Sequence, residues 1–508
     1  MAKANLQTPV DDLIPLMEKV QEFLSSERHV MLILGDSGAG KSTTNSGLYQ
    51  NNEPIPLFVY LPAIDRPDKE LITEHLRTQN FNDGQIQDMK RRRQFILICD
   101  GYDESHLTVN LHTANHFNRP GQWNVKMVIS CRTQYLVQDY RSRFMPEGVS
   151  HYTSLALDRF QEAVIAPFSK QQIENYVEQY VPLEPRTWTT KDYMDKLTTI
   201  PNLLDLVRNP FLLTLSLEAL PRLTEGENDF STIKITRVQL YDTFVRHWLA
   251  VNSRRLQRSV LSGEDRGVLD QLLDAGFVSM GIEYSATLAA AVFEHQDGNP
   301  VVQYVHIKDK SSWRAEFFRP DPEVRMLRDS SPIARTGNLY RFIHRSMLEY
   351  FFSLTIFGPS VLGDNNGYAS QHARCITESQ LLDINGPLFK RNLLSESSVI
   401  QFLCERVKQH PDFQKQLLSV IEQSKSNPTV TTAAANAITI LVRGEVRFNS
   451  ADLRGIRIPC ADLSDGQFDS AQFQGADLTG VTFSRGWLRQ AAFSDALVDG
   501  VAGFSQLV

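Results

Sequence analysis

The stretch Gly35-Asp36-Ser37-Gly38-Ala39-Gly40-Lys41-Ser42 decides the fold of the first part of the chain. It matches the pattern GxxxxGK[ST], comes directly after an apolar run that ends at Leu34, and is followed by Thr43 and a stretch that suits a helix. Glycines let the backbone turn its N–H groups inward around an anion, and the following helix adds its positive end. The pattern therefore predicts a phosphate-binding loop, in which Lys41 bridges the β- and γ-phosphates and the Ser42 hydroxyl joins the shell of a Mg²⁺ ion.

Four short apolar runs surround this loop, at residues 29–34, 57–61, 95–99 and 126–130. Each run is continuous rather than alternating, and polar helical stretches separate the runs. Because continuous β-favouring runs belong to strands covered on both faces, they indicate a parallel sheet between layers of helices. We expect this α/β domain to span residues 28–165.

A second motif, Asp100-Gly101-Tyr102-Asp103-Glu104, stands at the end of the third apolar run. It places carboxylates where a strand emerges from the sheet, which is the edge at which open α/β sheets bind ligands. Asp100 is expected to hold Mg²⁺ through water, and Asp103 or Glu104 to orient or deprotonate an attacking water. Taken alone, the stretch could also be an exposed acidic loop.

The C-terminal segment has a period of five residues. Every fifth residue from 448 is large and apolar, and the residues two positions earlier are mostly small, such as Ala461, Gly466 and Ala471. The large residues are Phe448, Leu453, Ile458, Leu463, Phe468, Phe473, Leu478, Phe483, Leu488, Phe493 and Val498. A short internal period is the mark of a solenoid whose large residues stack inside. The segment resembles pentapeptide repeats, which form a right-handed quadrilateral β-helix, here expected over residues 444–502.

Composition excludes several classes of protein. The 508 residues carry 52 basic and 59 acidic side chains, a net charge of −7, which disfavours a protein that coats nucleic acid or anionic membrane. The apolar stretches are far shorter than a bilayer span, and the first residues lack an apolar signal region. The five cysteines are scattered without metal-ligand spacing. We expect a soluble, cytoplasmic, multidomain protein without direct nucleic-acid or membrane partners.

The two motifs together resemble the NACHT family of signal-transduction P-loop NTPases, the STAND class. A small residue directly after the Mg²⁺ aspartate, then acids three and four positions after it, is the family's signature. Three further stretches match in order: 128–132, ending in Arg132; 208–213, around Pro210; and 342–351, which fits FxHxxxxEYF with His344. The resemblance covers residues 28–357. It implies that Arg132 contacts the γ-phosphate, that Pro210 packs near the base, and that His344 approaches the β-phosphate of bound ADP.

The resemblance and the helix and strand patterns together divide the rest of the chain into segments. An amphipathic helix is expected within residues 1–27. An Ala-rich helix, a strand-like stretch at 301–307 and a turn at 336–338, in this order, suit a winged helix. The expected segments after the α/β domain are a helical domain (166–230), a winged-helix-like domain (231–360) and a helical linker region (361–443). The predicted fold class is therefore multidomain: a parallel-sheet P-loop NTPase, helical and winged-helix modules, and a C-terminal β-solenoid.

The function implied by the resemblance is an ATP-binding, Mg²⁺-dependent switch, closed with ADP and open with ATP, that hydrolyses ATP slowly. Opening would expose surfaces for a homo-oligomer or for protein partners whose identity the sequence does not give. Two other classes stay open: a metabolic P-loop enzyme such as a small-molecule kinase, and a scaffold that holds nucleotide without switching while the solenoid binds partner proteins.

Three further features of the sequence carry weaker signals. The run Arg91-Arg92-Arg93 is expected to be a solvated helix end, with a phosphate or RNA contact as the alternative. The segment 444–508 carries eight acids and five arginines, a charge too mild for a mimic of DNA. Fungal proteins of the NACHT–pentapeptide type often continue into a WD-repeat propeller, which this sequence does not contain, so either the architecture is truncated or its sensor and effector lie elsewhere.

Overall fold

The computed structural model describes residues 15–35, 39, 41, 54–105, 107–133, 140–146, 159–183, 188–226, 229–357 and 386–503. The chain divides into two units. Unit 1 comprises Met1–Leu217 with Asn299–Val301, and unit 2 comprises Glu218–Gly298 with Val302–Val508. The domain boundaries inferred from the sequence stay predictions.

Unit 1 is built on a five-stranded parallel sheet with the strand order β2-β3-β4-β1-β5. The strands are β1 (Val30–Gly35), β2 (Ile55–Tyr60), β3 (Gln94–Asp100), β4 (Asn124–Arg132) and β5 (Phe160–Val164). The central strands are buried almost along their whole length, because helices or loops cover both faces. The predicted parallel sheet is confirmed, and each of the four apolar runs forms a strand.

Strand β5 was not predicted from the sequence. Its residues, Phe-Gln-Glu-Ala-Val, include two polar side chains, and it pairs only with β1 at the edge of the sheet. Gln161 is nevertheless buried, and its side-chain oxygen accepts a hydrogen bond from Arg28 Nη1 at 2.7 Å. An edge strand needs no continuous apolar run, so the apolar criterion could not find it.

The helices of unit 1 cover the sheet or follow it in sequence. They are α1 (Leu16–Ser25), α2 (Leu71–Thr78), α3 (Asp83–Arg92), α4 (Leu111–Ala114), α5 (Lys170–Tyr180), α6 (Thr190–Thr199), α7 (Leu203–Leu206) and α8 (Pro210–Leu223), the last of which runs into unit 2. Val20 and Phe23 of α1 pack against Met31 and Ile33 on one face of β1, while Leu32 and Leu34 face the larger core on the other side. The predicted N-terminal helix thus exists, although its predicted first residues lie outside the described part of the chain.

Unit 2 is mainly helical and also holds a small antiparallel sheet. Its helices are α9 (Arg237–Arg258), α10 (Gly263–Asp274), α11 (Phe277–Gln296), α12 (Arg314–Phe318), α13 (Pro322–Ser330), α14 (Arg345–Phe357), α15 (Pro387–Lys390), α16 (Ser397–Gln409), α17 (Pro411–Gln423) and α18 (Thr431–Arg443). The strands β6 (Val302–Gln303), β7 (Ile333–Thr336) and β8 (Leu339–Phe342) pair in the order β6-β8-β7. The strand-like stretch expected at 301–307 is only two residues of strand, and the winged-helix assignment stays a prediction.

Membrane spanning was tested on the described helices. None of them is, by itself, long and apolar enough to cross a bilayer, whereas the bent pair α10 and α11 satisfies the criteria of length and composition together.

The C-terminal repeats of unit 2 form the predicted quadrilateral β-helix. Short parallel bridges join residues twenty positions apart, such as Asp462 with Thr482 and Gln467 with Trp487, so each coil has four five-residue sides. The large residues of the repeat are buried from Phe448 to Leu488. Phe448 stacks on Phe468 with ring centroids 5.5 Å apart, which is the same twenty-residue step.

Helices α17 and α18 cover the first coil of the β-helix. The Arg457 N–H donates to Ser424 Oγ at 3.1 Å, and the Asp462 N–H donates to Thr439 Oγ1 at 3.1 Å. These bonds satisfy backbone donors that an open solenoid edge would leave unpaired. The helical region before the repeats therefore acts as their cap.

Replacing Phe468 by alanine is expected to lower the free energy of unfolding of the repeats by about 3–5 kcal/mol. The Phe468 ring is fully buried between Phe448, Phe473 and Phe483, so truncation leaves a cavity in the centre of the solenoid. Native-state hydrogen exchange of the repeat amides measures the loss. Val498→Ala is the matched control, since Val498 has the same position in the repeat but is 45% exposed. Equal protection in both variants would contradict the interior stacking.

Candidate phosphate-binding site

The candidate site lies at the carboxyl edge of the parallel sheet. Gly35 at the end of β1 pairs in register with Arg132 at the end of β4, and Tyr60 at the end of β2 pairs with Asp100 at the end of β3. Neighbouring parallel strands bring their carboxyl ends to one edge, where open α/β sheets bind ligands. The two motifs that are about sixty residues apart in sequence therefore meet in space.

Lys41 stands at the centre of the charged groups. Its Nζ donates a hydrogen bond to the Gly35 carbonyl oxygen at 2.8 Å. Burial lowers the pKa of Lys41 and the Arg132 charge adds to this, whereas the carboxylates of Asp103, Glu104 and Asp100 raise it. Among the described residues, the ammonium group thus interacts electrostatically with Asp100, Asp103, Glu104 and Arg132, all of which the sequence assigned to the site.

Asp100 is buried at the end of β3, with 5% of its surface exposed. The Ser130 hydroxyl donates to its Oδ1, and the same hydroxyl oxygen accepts the Gly101 N–H at 3.3 Å. Ser130 thereby fixes the orientation of the carboxylate. The sequence analysis gave Ser130 no role, although a serine inside an otherwise apolar strand is a signal for one.

Asp103 and Glu104, in a single 3₁₀ turn (Asp103–Ser105), are both paired with Arg132. The Arg132 Nε lies 3.0 Å from Asp103 Oδ2, its Nη2 lies 3.6 Å from Glu104 Oε1, and its backbone N–H donates to Asp103 Oδ1 at 3.0 Å. Burial raises the pKa of Asp103; the Arg132 charge opposes that rise, the Glu104 charge adds to it, and the Lys41 charge opposes it as well. The net result is that the pKa of Asp103 lies above the ordinary aspartate value of about 4.

Tyr60 is a further member of the site that the sequence analysis missed. Its hydroxyl donates to Glu104 Oε2 at 2.5 Å. Its ring packs closely on Gly101, which has φ +77°, and a Cβ atom on Gly101 would lie 3.0 Å from the ring and 3.2 Å from Pro62. Glycine is therefore required here both by the backbone conformation and by space. Tyrosine at the end of an apolar strand carries no sequence signal, because its contact depends on which strand lies beside β3.

Several predicted site residues lie outside the described part of the chain. Of the phosphate-loop residues, Gly35, Ala39 and Lys41 are described. The loop residues that lie outside it are Asp36, Ser37, Gly38, Gly40, Ser42 and Thr43.

Pro210 and His344 are described within their own units. Pro210 is the first residue of α8, and the preceding Asn209 accepts the N–H groups of Phe211 and Leu212 at 3.1 and 3.2 Å. Proline suits a first helical position, because its missing N–H would have no partner inside the helix. In unit 2, His344 Nδ1 accepts the Ser346 N–H at 3.1 Å just before α14. Roles for both at a nucleotide stay predictions.

The donors at this edge fit a hard divalent cation. The Asp100 carboxylate lies at the strand end beside Lys41, and Mg²⁺ is commonly bound by one or two carboxylates, waters and phosphate oxygens. Among the described residues, no group of three or more His, Cys, Asp or Glu side chains could enclose a metal ion. A Mg²⁺ ion here would therefore depend on Asp100, on the predicted Ser42 hydroxyl and on ligands from a nucleotide.

The parallel sheet, with the glycine-rich stretch leaving β1 and Lys41 beside Asp100, has the fold of a P-loop NTPase, and the chain carries C-terminal pentapeptide repeats. The repeats are also found by sequence comparison: residues 447–485 match the family model of pentapeptide repeats in eight copies. A comparison with curated proteins gives no match.

Three solved structures are distantly similar to this chain. A signal transduction ATPase with numerous domains (STAND) with a tetratricopeptide repeat sensor, from Pyrococcus horikoshii, is 13% identical with a TM-score of 0.32, covering 86% of this chain and 59% of that one. A Walker-type ATPase of Pyrococcus abyssi is 14% identical with a TM-score of 0.28, and the match covers 67% of this chain and 97% of that one. The RuvB Holliday junction branch migration motor of Thermotoga maritima is 12% identical with a TM-score of 0.27, and the match covers 66% of this chain and 93% of that one. The chain spans about three fifths of the STAND protein, and likeness this distant supports no functional conclusion.

Proposed function

We propose that this chain is an ATP-binding, Mg²⁺-dependent NTPase of the NACHT type that acts as a nucleotide-controlled switch. The observation that carries the proposal is the convergence of Lys41 with Asp100, Asp103, Glu104 and Arg132 at one edge of the sheet. Taking two cations and three carboxylates largely out of water costs free energy, because each ion loses hydration, and the ion pairs of Arg132 offset only part of that cost. A triphosphate with its metal ion supplies opposite charges to both kinds of group.

The chemistry of hydrolysis follows from the roles that the geometry allows. Lys41 binds phosphate oxygens. Asp100 and Ser42 would hold a Mg²⁺ ion, which would supply positive charge to offset that of the phosphates. Asp103 or Glu104 orients a water molecule and accepts its proton, and the raised pKa of Asp103 suits that residue to the role of base. Arg132 contacts the γ-phosphate and stabilises the charge that develops there.

The switch requires that ATP and ADP favour different conformations. A nucleotide shifts a population only through contacts that differ between the two states. Arg132 is the residue proposed to contact the γ-phosphate, and His344 the residue proposed to contact bound ADP in the closed state, with Pro210 near the base. Opening would then expose surfaces for self-assembly or for a protein partner.

The switch is tested by size-exclusion chromatography of the full chain with Mg·ADP and with a nonhydrolysable ATP analogue. We expect an earlier elution with the analogue, because opening exposes assembly surfaces. The rival scaffold, in which the capped solenoid binds partners and nucleotide is structural, predicts identical elution and no exchange of nucleotide. Mass spectrometry of nucleotide retained through purification identifies the base.

Replacing Tyr60 by phenylalanine is expected to lower kcat for ATP hydrolysis about 3- to 10-fold, with ATP affinity unchanged within about twofold. The hydroxyl and Arg132 both hold Glu104, so loss of the hydroxyl leaves the carboxylate with the Arg132 contact alone and removes no proposed phosphate contact. Tyr140→Phe is the matched control, since the Tyr140 hydroxyl also donates to a glutamate: it lies 2.8 Å from Glu162 Oε1, and neither residue belongs to the candidate site. A kcat equal to that of the unsubstituted chain would show that Tyr60 is not a positioning residue.

A further inference from the structure

A strongly basic cleft with a volume of about 440 Å³ opens in unit 1. Its lining includes Lys90, Arg91, Arg92, Arg93, Gln122 and Asn124. The first residues of β3 and β4, Gln94 and Asn124, pair in register at this place. The cleft is therefore at the amino edge of the sheet, opposite to the edge that carries Lys41 and Asp100.

Four consecutive cations surround this cleft, and none of its lining residues is acidic. Lys90 Nζ donates to Gln122 Oε1 at 2.7 Å, and Arg92 Nε lies 2.8 Å from Asp88 Oδ1 on the outer surface of α3. Within the described ranges Arg91 has no ion-pair partner. Like charges brought together repel each other, so the cluster is more stable with an anion than without one.

The end of a helix explains only part of this charge. Lys90, Arg91 and Arg92 are in the last turn of α3, where cations interact favourably with the helix dipole. Arg93 lies beyond the helix, and the side-chain amides of Gln122 and Asn124 come from another segment. A solvated helix end does not need donors from two segments around one concave surface.

We propose that this cleft binds a compact anion with two or more phosphate groups, at a site separate from the nucleotide. Arginine forks donate paired hydrogen bonds to phosphate oxygens, and the amide groups supply further donors. The volume suits a small molecule. Nucleic acid is disfavoured, because the described lining has no aromatic side chain for base stacking and the chain has a net charge of −7.

The test is calorimetric titration of the full chain with sodium tripolyphosphate at about 150 mM salt, where exposed charges are screened. Four proteins are compared: the unsubstituted chain, Lys41→Ala, the triple variant Arg91→Gln/Arg92→Gln/Arg93→Gln, and the combination of both. We expect the Lys41→Ala protein to retain one binding event, which the triple substitution weakens at least about tenfold. A failure of the nucleotide proposal would change only the Lys41-dependent event, so the two outcomes are distinguishable.

Controls separate a specific site from general charge. Arg77→Gln removes an exposed arginine on α2 and should leave tripolyphosphate binding unchanged. If the triple variant fails to fold, Arg91→Gln alone, which breaks no ion pair within the described ranges, should still weaken binding about threefold. Unchanged binding in the arginine variants overturns the proposal, as does equal displacement by sulfate. Tighter, arginine-dependent binding of an oligothymidylate of about 12 nucleotides would also overturn it, in favour of single-stranded nucleic acid.

Discussion

Replacing Lys41 by alanine is expected to lower the affinity of the chain for Mg·ATP about 100-fold or more. At a separation of 4 Å and an effective dielectric constant of 20, one charge pair is worth about 4 kcal/mol, and about two thirds of that corresponds to 100-fold. The Lys41 ammonium group lies at the end of β1, where its Nζ donates to the Gly35 carbonyl oxygen at 2.8 Å. Equilibrium binding of a fluorescent ATP analogue with Mg²⁺ measures the loss.

The control for Lys41 must remove a lysine without touching the site. Lys69 is exposed in the loop before α2, so Lys69→Ala should bind Mg·ATP like the unsubstituted chain. Thermal unfolding of both variants shows whether the loss of affinity reflects a loss of fold. A Lys41→Ala protein that is folded and binds Mg·ATP with unchanged affinity would remove the basis of the proposed function.

The fold could be predicted from the sequence at positions where burial alone requires an apolar side chain. Strands β1 and β3 are covered on both faces, so their runs are apolar without interruption, and the solenoid places every fifth side chain in the same interior. Strand β5 was not predicted, because it pairs along only one edge, and polar side chains are tolerated in such an edge strand. The length of a polar strand end, such as Asn124 in β4, is likewise decided by pairing rather than by burial.

The candidate site could be predicted where a residue is tied to its own strand. Asp100 is the last residue of β3, and Lys41 follows the end of β1 by six residues. Because parallel strands end at one edge, their position at the same edge follows from the class of sheet. Ser130 and Tyr60 act through neighbours instead: their contacts with Asp100 and Glu104 exist because β3 lies between β2 and β4. Lateral strand order is a property of tertiary packing, and no local pattern in the sequence encodes it.

Arg132 is expected to have the second large effect, because it makes two contributions at once. Its guanidinium is paired with Asp103 and Glu104, whose side chains are only 7% and 16% exposed. Removing one partner of a buried ion pair costs about 3–5 kcal/mol, so Arg132→Ala should also unfold more easily. Arg132→Lys retains a charge but not the planar fork, and it provides the folded variant for the kinetic test.

In Arg132→Lys, kcat for ATP hydrolysis is expected to fall about 100-fold, while ADP affinity changes by less than about threefold. The difference arises because Arg132 is proposed to contact only the γ-phosphate, which ADP lacks. The pH profile gives a second measurement. The Arg132 charge opposes the rise in the pKa of Asp103, so a weaker interaction raises that pKa further. Because the proposed base must be deprotonated, the acidic limb of kcat/KM, which reports the nucleotide-free protein, moves to higher pH.

The matched control is Arg141→Lys, because Arg141 also pairs with a glutamate, Glu162 at 3.3 Å, and is 48% exposed at the surface. It should leave both nucleotide affinities and the pH profile unchanged. Equal losses of ATP and ADP affinity in Arg132→Lys, with an unmoved acidic limb, would mean that Arg132 only stabilises the turn at Asp103. A selective loss for ATP would instead mean that the same guanidinium exchanges carboxylate contacts for the γ-phosphate, which is the differential contact that a nucleotide switch requires.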